Sequence, residues 1–476
     1  MGVSTDNEKD RQPELPGLYL EDSPEGESMD TESQLSGKKR YERTNTNRMS
    51  IDTSKLFDQM VSYKNMHQAF SKVARNKGSG GVDGMKATEL VPYFEEHYHE
   101  LKEELLEKRY KPQPVRRVEI PKDNGKKRQL GIPTVIDRGV QMSIAQVLSD
   151  LYEPKFSETS YGFRPNRSAH DALKKCLEYA REGNLWVVDL DLERFFDTVG
   201  QSKLLQMVSM SVDDGRVISL LYKFVKAGVM VNGVKRPSEE GVPQGGPLSP
   251  VLSNIMLNDC DKELEKRGHK FVRYADDLMV FCRSKRSAER VMESITKFLE
   301  MKLKLKVNRE KSVVRYITKD VKYLGHGFYN NKGTIQLTIH KKSLKKMKLK
   351  LKEVLNKNNG WSYEFRKLRL RYLIRGWVSY FRMAHAKTRL AQLDEWMRHK
   401  IRAVILRQNW RVRSRYRLFR QCGAKHCDAL LVANARQKVW ALAGFYAVSW
   451  WLSVKMLRNH GYEFFSDWYT RVRITV

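Results

Sequence analysis

The chain has 476 residues, 41% of them hydrophobic, and a formal charge of +32. That length suggests about three domains with ample material for a folded core. A merely well-solvated surface needs no such excess of one sign, so the charge points to a polyanionic partner, most often nucleic acid.

The charge is also uneven. Residues 1–38 carry ten acids against three bases, residues 331–476 carry 33 Lys and Arg against seven acids, and the stretch between holds the remaining +13. Residues 1–46 are acidic, rich in Pro, Gly and Ser and without apolar periodicity, the composition of a disordered tail. They contain no apolar signal region. From Ile51 two short helices are expected, anchored by Leu56, Met60, Met66, Phe70 and Val73 and closed by a Gly-rich turn. "VRRVEI" and "KRQLGI" flank "PKDNGK", which predicts a hairpin with an Asn-Gly turn. A helix follows, with Ile136, Val140, Ile144, Val147, Leu148 and Leu151 on one face.

"LWVVDLDLERFFD" (185–197) starts as an apolar strand and turns helical after its acids; strand alternation puts Asp189 and Asp191 on one face. "GVPQGGPLSP" leads into a helix over 249–267, and "FVRYADDLMVFCRS" (271–284) then places Asp276 and Asp277 inside a hairpin. Ionised carboxylates are almost never buried unless paired or bound to metal. A helix from about Ser287 to Leu303 and short strands in "KYLGHGFYN" and "TIQLTI" complete an α+β domain around an antiparallel sheet. After His340 three basic amphipathic helices are expected to pack on one another, the first burying Leu344, Met347, Leu351, Val354 and Leu355. "CGAKHC" (422–427) lacks the further ligands of a zinc site, and five scattered cysteines suit a reducing compartment. The uncharged run 439–454 is 16 residues long, short of the roughly 20 that span a bilayer, so a buried helix is expected there and no membrane partner.

An acid at the end of one strand and paired acids on another form the arrangement that binds two Mg²⁺ ions about 3.5–4 Å apart for phosphoryl transfer. With these motifs in this order, the chain resembles a reverse transcriptase of the bacterial group II intron type, the intron-encoded polymerase and maturase, over residues 51 to about 420. "RRVEIPKDNGKKRQLGIPTVIDR", "YGFRPNRSAHDAL", "GVPQGGPLSPVLSNIMLN", "VNREKS" and "KYLGHGF" stand where that family has its fingers and palm motifs.

The resemblance implies an α+β right-hand polymerase, with fingers and an antiparallel palm sheet over 47–335 and an all-α basic thumb or maturase domain over 336–420. Residues 421–476 are a C-terminal segment with a candidate DNA-binding role and no H-N-H endonuclease module. It implies catalysis and metal binding by Asp191, Asp276 and Asp277. Lys122 and Arg128 match contacts to the incoming triphosphate. Phe196 matches the ring that excludes a 2′-OH, and Gln244 a residue lining the nucleotide pocket. Arg375, Tyr380 and Arg382 in the thumb, with Lys346 and Lys350, are the expected nucleic-acid contacts, while Trp377 is expected to pack in the core. The implied partners are group II intron RNA, an RNA template with its DNA primer, a DNA target and dNTPs, in the bacterial cytoplasm. The alternatives are a splicing maturase with a vestigial polymerase, and a host-defence reverse transcriptase.

Overall fold

The structure is a computed structural model and describes residues 52–121, 127–231, 234–236, 240–242 and 245–473. The acidic 1–46 segment and the Asn-Gly turn therefore lie outside the described residues. The chain opens with α1 (Leu56–Met60), α2 (Tyr63–Arg75) and α3 (Leu90–Leu106), followed by β1 (Val115–Pro121), β2 (Lys127–Ile132) and α4 (Val135–Tyr152). Next come α5 (Ala169–Arg181), β3 (Trp186–Leu190), α6 (Phe195–Thr198), α7 (Gln201–Ser209), α8 (Gly215–Lys226), β4 (Val229–Val231) and β5 (Val234–Arg236). Then follow α9 (Ser249–Lys266), β6 (Lys270–Tyr274), β7 (Asp277–Cys282), α10 (Lys285–Met301), β8 (Val313–Tyr316), β9 (His326–Asn331) and β10 (Thr334–Ile339). The rest is helical: α11 (Lys341–Val354), α12 (Tyr363–Tyr380), α13 (Lys387–Gln408), α14 (Val412–Gln421), α15 (His426–Ala433), α16 (Val439–Ala443), α17 (Tyr446–Trp451), α18 (Val454–Asn459) and α19 (Phe465–Val472).

Two compact units divide the chain. One holds residues 52–168, 190–278 and 290–313 among those described; the other holds 169–189, 279–289 and 314–473. In the first unit α2 packs on α3 and α4, and all five apolar anchors expected between Leu56 and Val73 are buried. Thr134 caps α4 by accepting from the Asp137 amide (3.1 Å). Asp137 is itself buried, and burial raises its pKa although Tyr110 and Thr134 hydroxyls donate to it. Strands β1 and β2 pair antiparallel, from Arg116 opposite Ile132 to Pro121 opposite Lys127. β4 pairs antiparallel with β5 but parallel with β1, so the four-stranded sheet β2-β1-β4-β5 is mixed rather than purely antiparallel. A second four-stranded sheet runs β6-β7-β3-β8.

In the second unit β9 and β10 form an antiparallel hairpin, and α11 through α19 surround one apolar core that runs from Ile339 to Tyr469. The three expected basic helices are α11, α12 and α13. Their stripes meet as expected, with Met347, Leu351, Ile374, Val378, Met397 and Ile401 buried together. No seam in the packing marks residue 420, because Phe419, Ala429, Leu442 and Phe465 belong to the same core.

The expected single buried helix over 439–454 is absent. The run is broken into α16, α17 and the start of α18, and Trp440, Tyr446 and Trp450 are 47%, 66% and 74% exposed. Phe445 and Ser453 take extended conformations and open new helices, so the apolar residues do not share one face. No described helix is long and apolar enough to cross a membrane.

Candidate active site

Asp191 follows the last residue of β3, and its setting comes from "VNREKS" about 120 residues later. Its amide donates to Ser312 Oγ (3.1 Å), and its carbonyl accepts from the Asn308 amide (2.9 Å). Lys311 Nζ donates to its carboxylate at 2.9 Å. Leu192 bridges to Val307, and the Glu193 amide donates to the Lys306 carbonyl (2.8 Å), so the backbone past the acid is pinned on both sides. Arg194 adopts a left-handed conformation (φ 46°) that turns the chain into α6. There Phe195 is buried and Phe196 half-buried, the two rings meeting edge-on at 5.2 Å.

The second acidic site is the turn between β6 and β7. Ala275 has φ 56°, Asp276 is half-buried in the turn, and Asp277 is exposed at the first position of β7. Beneath it lies a buried ion pair that sequence reading did not anticipate. Arg273 Nε donates to Asp261 Oδ1 (2.8 Å), and Arg273 Nη1 donates to Asn254 Oδ1 (2.9 Å) and to the Ala275 carbonyl (3.0 Å). Both ionic partners are at most 1% exposed. Breaking such a pair by removing one partner costs about 3–5 kcal/mol. Asn254 Nδ2 reaches on to the Gly162 carbonyl (2.9 Å), in the "YGFRP" stretch. A Cβ on Gly162 would lie 2.3 Å from the Ala275 nitrogen, so only glycine allows this approach. The turn carrying the paired acids is thus held from inside by a guanidinium and from outside by a bare backbone.

β3 and β7 are neighbours in the sheet, which sets Asp191 and the Asp276–Asp277 turn on adjacent strands. Among the described residues no group of three or more His, Cys, Asp or Glu side chains gathers closely enough to hold a metal ion. The donor chemistry nevertheless suits a hard divalent cation, because partly exposed carboxylates leave room for the waters and substrate phosphates that Mg²⁺ retains.

Of the expected nucleotide contacts, Lys122 and Gln244 lie outside the described residues, and of Arg128 only the backbone is described, paired with Ile120. Gly245 (φ 122°) would bring a Cβ to 2.7 Å from the Gly131 carbonyl, so the chain just after Gln244 presses on β2.

The expected thumb contacts divide. Lys346 is exposed and Lys350 half-buried on α11. Arg375 is engaged internally, donating to both Glu463 oxygens (2.9 and 2.6 Å) with its guanidinium 4.8 Å from the Trp468 ring centre. Tyr380 donates to the Leu324 carbonyl (3.0 Å) and lies against His326 and Phe381. Arg382 is half-buried. Trp377 packs on Phe381 and Phe465, as expected of a core ring. Lys311, Arg273, Asp261, Asn254 and Gly162 were missed as site residues. "VNREKS" was visible as a motif, but nothing local in the sequence couples it to Asp191.

The family described as reverse transcriptase (RNA-dependent DNA polymerase) matches residues 120–328, and the group II intron maturase-specific domain matches residues 344–423. Protein YkfC of Escherichia coli K12 is 35% identical over 284 residues, covering 52% of this chain and 74% of its own. The group II intron-encoded protein LtrA of Lactococcus lactis subsp. cremoris is 29% identical over 342 residues, covering 58% of this chain and 56% of its own. The chain thus spans just over half the length of that second relative. Among solved structures, telomerase from Candida albicans aligns at 14% identity and a TM-score of 0.41, over 81% of this chain and 69% of that one.

Proposed function

Because the chain belongs to the reverse transcriptase family and carries a group II intron maturase-specific domain, we propose that it is an RNA-directed DNA polymerase that also binds a group II intron RNA and assists its splicing and retrohoming. The observation that carries this reading is the placing of Asp191 and the Asp276–Asp277 turn on adjacent strands within the segment matched to that family.

Asp191 and Asp276 would be the principal ligands of two Mg²⁺ ions, with Asp277 assisting. When bound, the ions supply charge stabilisation to the attacking and leaving oxygens. The chain's own groups do the rest. Lys122 and Arg128 hold the triphosphate by charge-assisted hydrogen bonds. Phe196 crowds the sugar and selects dNTPs, and Gln244 lines the pocket. Lys311 neutralises the Asp191 carboxylate, and Arg273 keeps the acidic turn in place. Residues 336–420 serve as thumb and maturase domain, with RNA template, DNA primer and DNA target as further partners. A nucleic-acid-associated protein of the bacterial cytoplasm fits these roles.

Primer extension on an RNA template tests the assignment. Asp276→Ala should lower the rate by several orders of magnitude while RNA affinity stays unchanged, since each factor of ten is about 1.4 kcal/mol and a metal supplies several. Extension near the wild-type rate would overturn it.

A further inference from the structure

The second unit leaves an apolar surface open among its described residues. A groove of about 630 Å³ is lined by Cys427, Leu430, Leu431, Arg436 and Phe445, among others. Leu430 and Leu431 are 40% and 45% exposed, and the helix that Phe445 caps exposes Tyr446 and Trp450. Clustered apolar exposure of this kind marks an interaction site. These residues lie beyond both matched family segments, the second of which ends at residue 423. The surroundings are strongly basic: residues 410–440 contain eight Lys and Arg against one acid, Asp428, which is engaged by Trp451 Nε1 (3.1 Å).

We propose that this groove is the docking site of the chain's own acidic N-terminal segment, through "ELPGLYLED" (Glu14–Asp22). That stretch gathers Leu15, Leu18, Tyr19 and Leu20 within an otherwise polar tail, between Glu14 on one side and Glu21 and Asp22 on the other. The groove has the matching pattern, an apolar floor with a basic surround. Residues 1–38 carry a net −7 against the +26 of residues 331–476, so attraction acts over the whole tail as well as at the motif. The 29 residues between the motif and the first described residue, Ser23 to Ile51, can extend about 100 Å, a long tether for the motif. A nucleic-acid strand fits the groove itself less well, because only one of its eight lining residues, Arg436, is cationic. Docked, the tail offsets part of the basic charge, and nucleic acid has to displace it. The inference goes beyond the polymerase reading and does not depend on it.

Cys427 is exposed and supplies a native probe, while Cys176, Cys260 and Cys282 are buried. In full-length protein carrying Cys422→Ser, Tyr19→Cys is oxidised with copper phenanthroline. A disulfide to Cys427 should form within one chain, at a rate independent of protein concentration and at least tenfold faster than for Ser36→Cys, a control outside the motif. Leu431→Glu, at an exposed position, should remove that advantage without affecting folding. Deleting residues 2–38 should tighten binding of a 20-nucleotide single strand at least threefold at low salt, with the gain lost at high salt. Equal rates at Tyr19→Cys and Ser36→Cys would overturn the proposal. So would a disulfide that forms only between chains, which makes the occupant a second copy, or an advantage that survives Leu431→Glu. If the deletion leaves affinity unchanged while the nucleotide strand itself shields Cys427, the groove is a nucleic-acid site and the proposal fails.

Discussion

Two neighbouring phenylalanines have different environments here, and the difference is set by the turn at Arg194. Phe195 is buried and Phe196 half-buried, which leaves the second ring available to meet a sugar. Phe196→Ala should raise NTP incorporation relative to dNTPs by about tenfold or more, the equivalent of removing a clash of about 1.4 kcal/mol. Single-nucleotide incorporation assays measure this; unchanged discrimination would make Phe196 an ordinary packing residue. The acids were legible because carboxylates at strand ends stand out against apolar neighbours. Lys311 and Arg273 were not, because a basic residue in so basic a chain carries no local signal. Their partners, Asp191 and Asp261, are set by the fold rather than by spacing. Arg375 is the converse case: its aromatic neighbours suggested nucleic acid, and the fold adds a partner that sequence did not show, Glu463.

At the scale of elements, the hairpin β9–β10 carries a titration that sequence could not reveal. His326 is buried at the first position of β9, its Nδ1 2.9 Å from the Leu324 carbonyl and its ring 4.7 Å from Phe381. Burial lowers its pKa from 6.5 to about 4, with His170 adding a smaller repulsion. Between those two values the unfolded chain binds the proton and the folded chain does not. Stability is therefore fully present above about 6.5 and falls as the pH drops towards about 4. The loss from this one group is roughly 3 kcal/mol at most. Urea unfolding of wild type and His326→Phe between neutral and acidic pH should show a flatter profile for the variant by about one proton. Parallel profiles would place the acid sensitivity elsewhere. Strongly periodic elements such as α2 and α11 were legible because one face alone is apolar. The 439–454 run was not, since an uninterrupted apolar stretch has no periodicity to reveal where helices break.

For the whole molecule, charge is the dominant property, and it sets how binding responds to salt. Reversing Lys346 and Lys350 together should make the log–log salt dependence of intron RNA binding shallower by about 1.4–1.8, two phosphate contacts' worth. Folded double variants that keep the wild-type slope would remove α11 from the RNA interface. The α+β and all-α halves were readable from the change in pattern near His340. The continuity of the helical core through Tyr469 was not, because packing between distant helices leaves no composition boundary. The setting of Asp191 is also ordered in time. Asp191 and Lys311 are separated by 120 residues of chain. At translation rates of about 5–20 residues per second, the acid leaves the ribosome roughly 6–24 s before the loop that fixes it. Until then the closing contact has no partner to offset its loop entropy. A nascent chain that has not yet exposed Ser312 therefore has the acid without its setting.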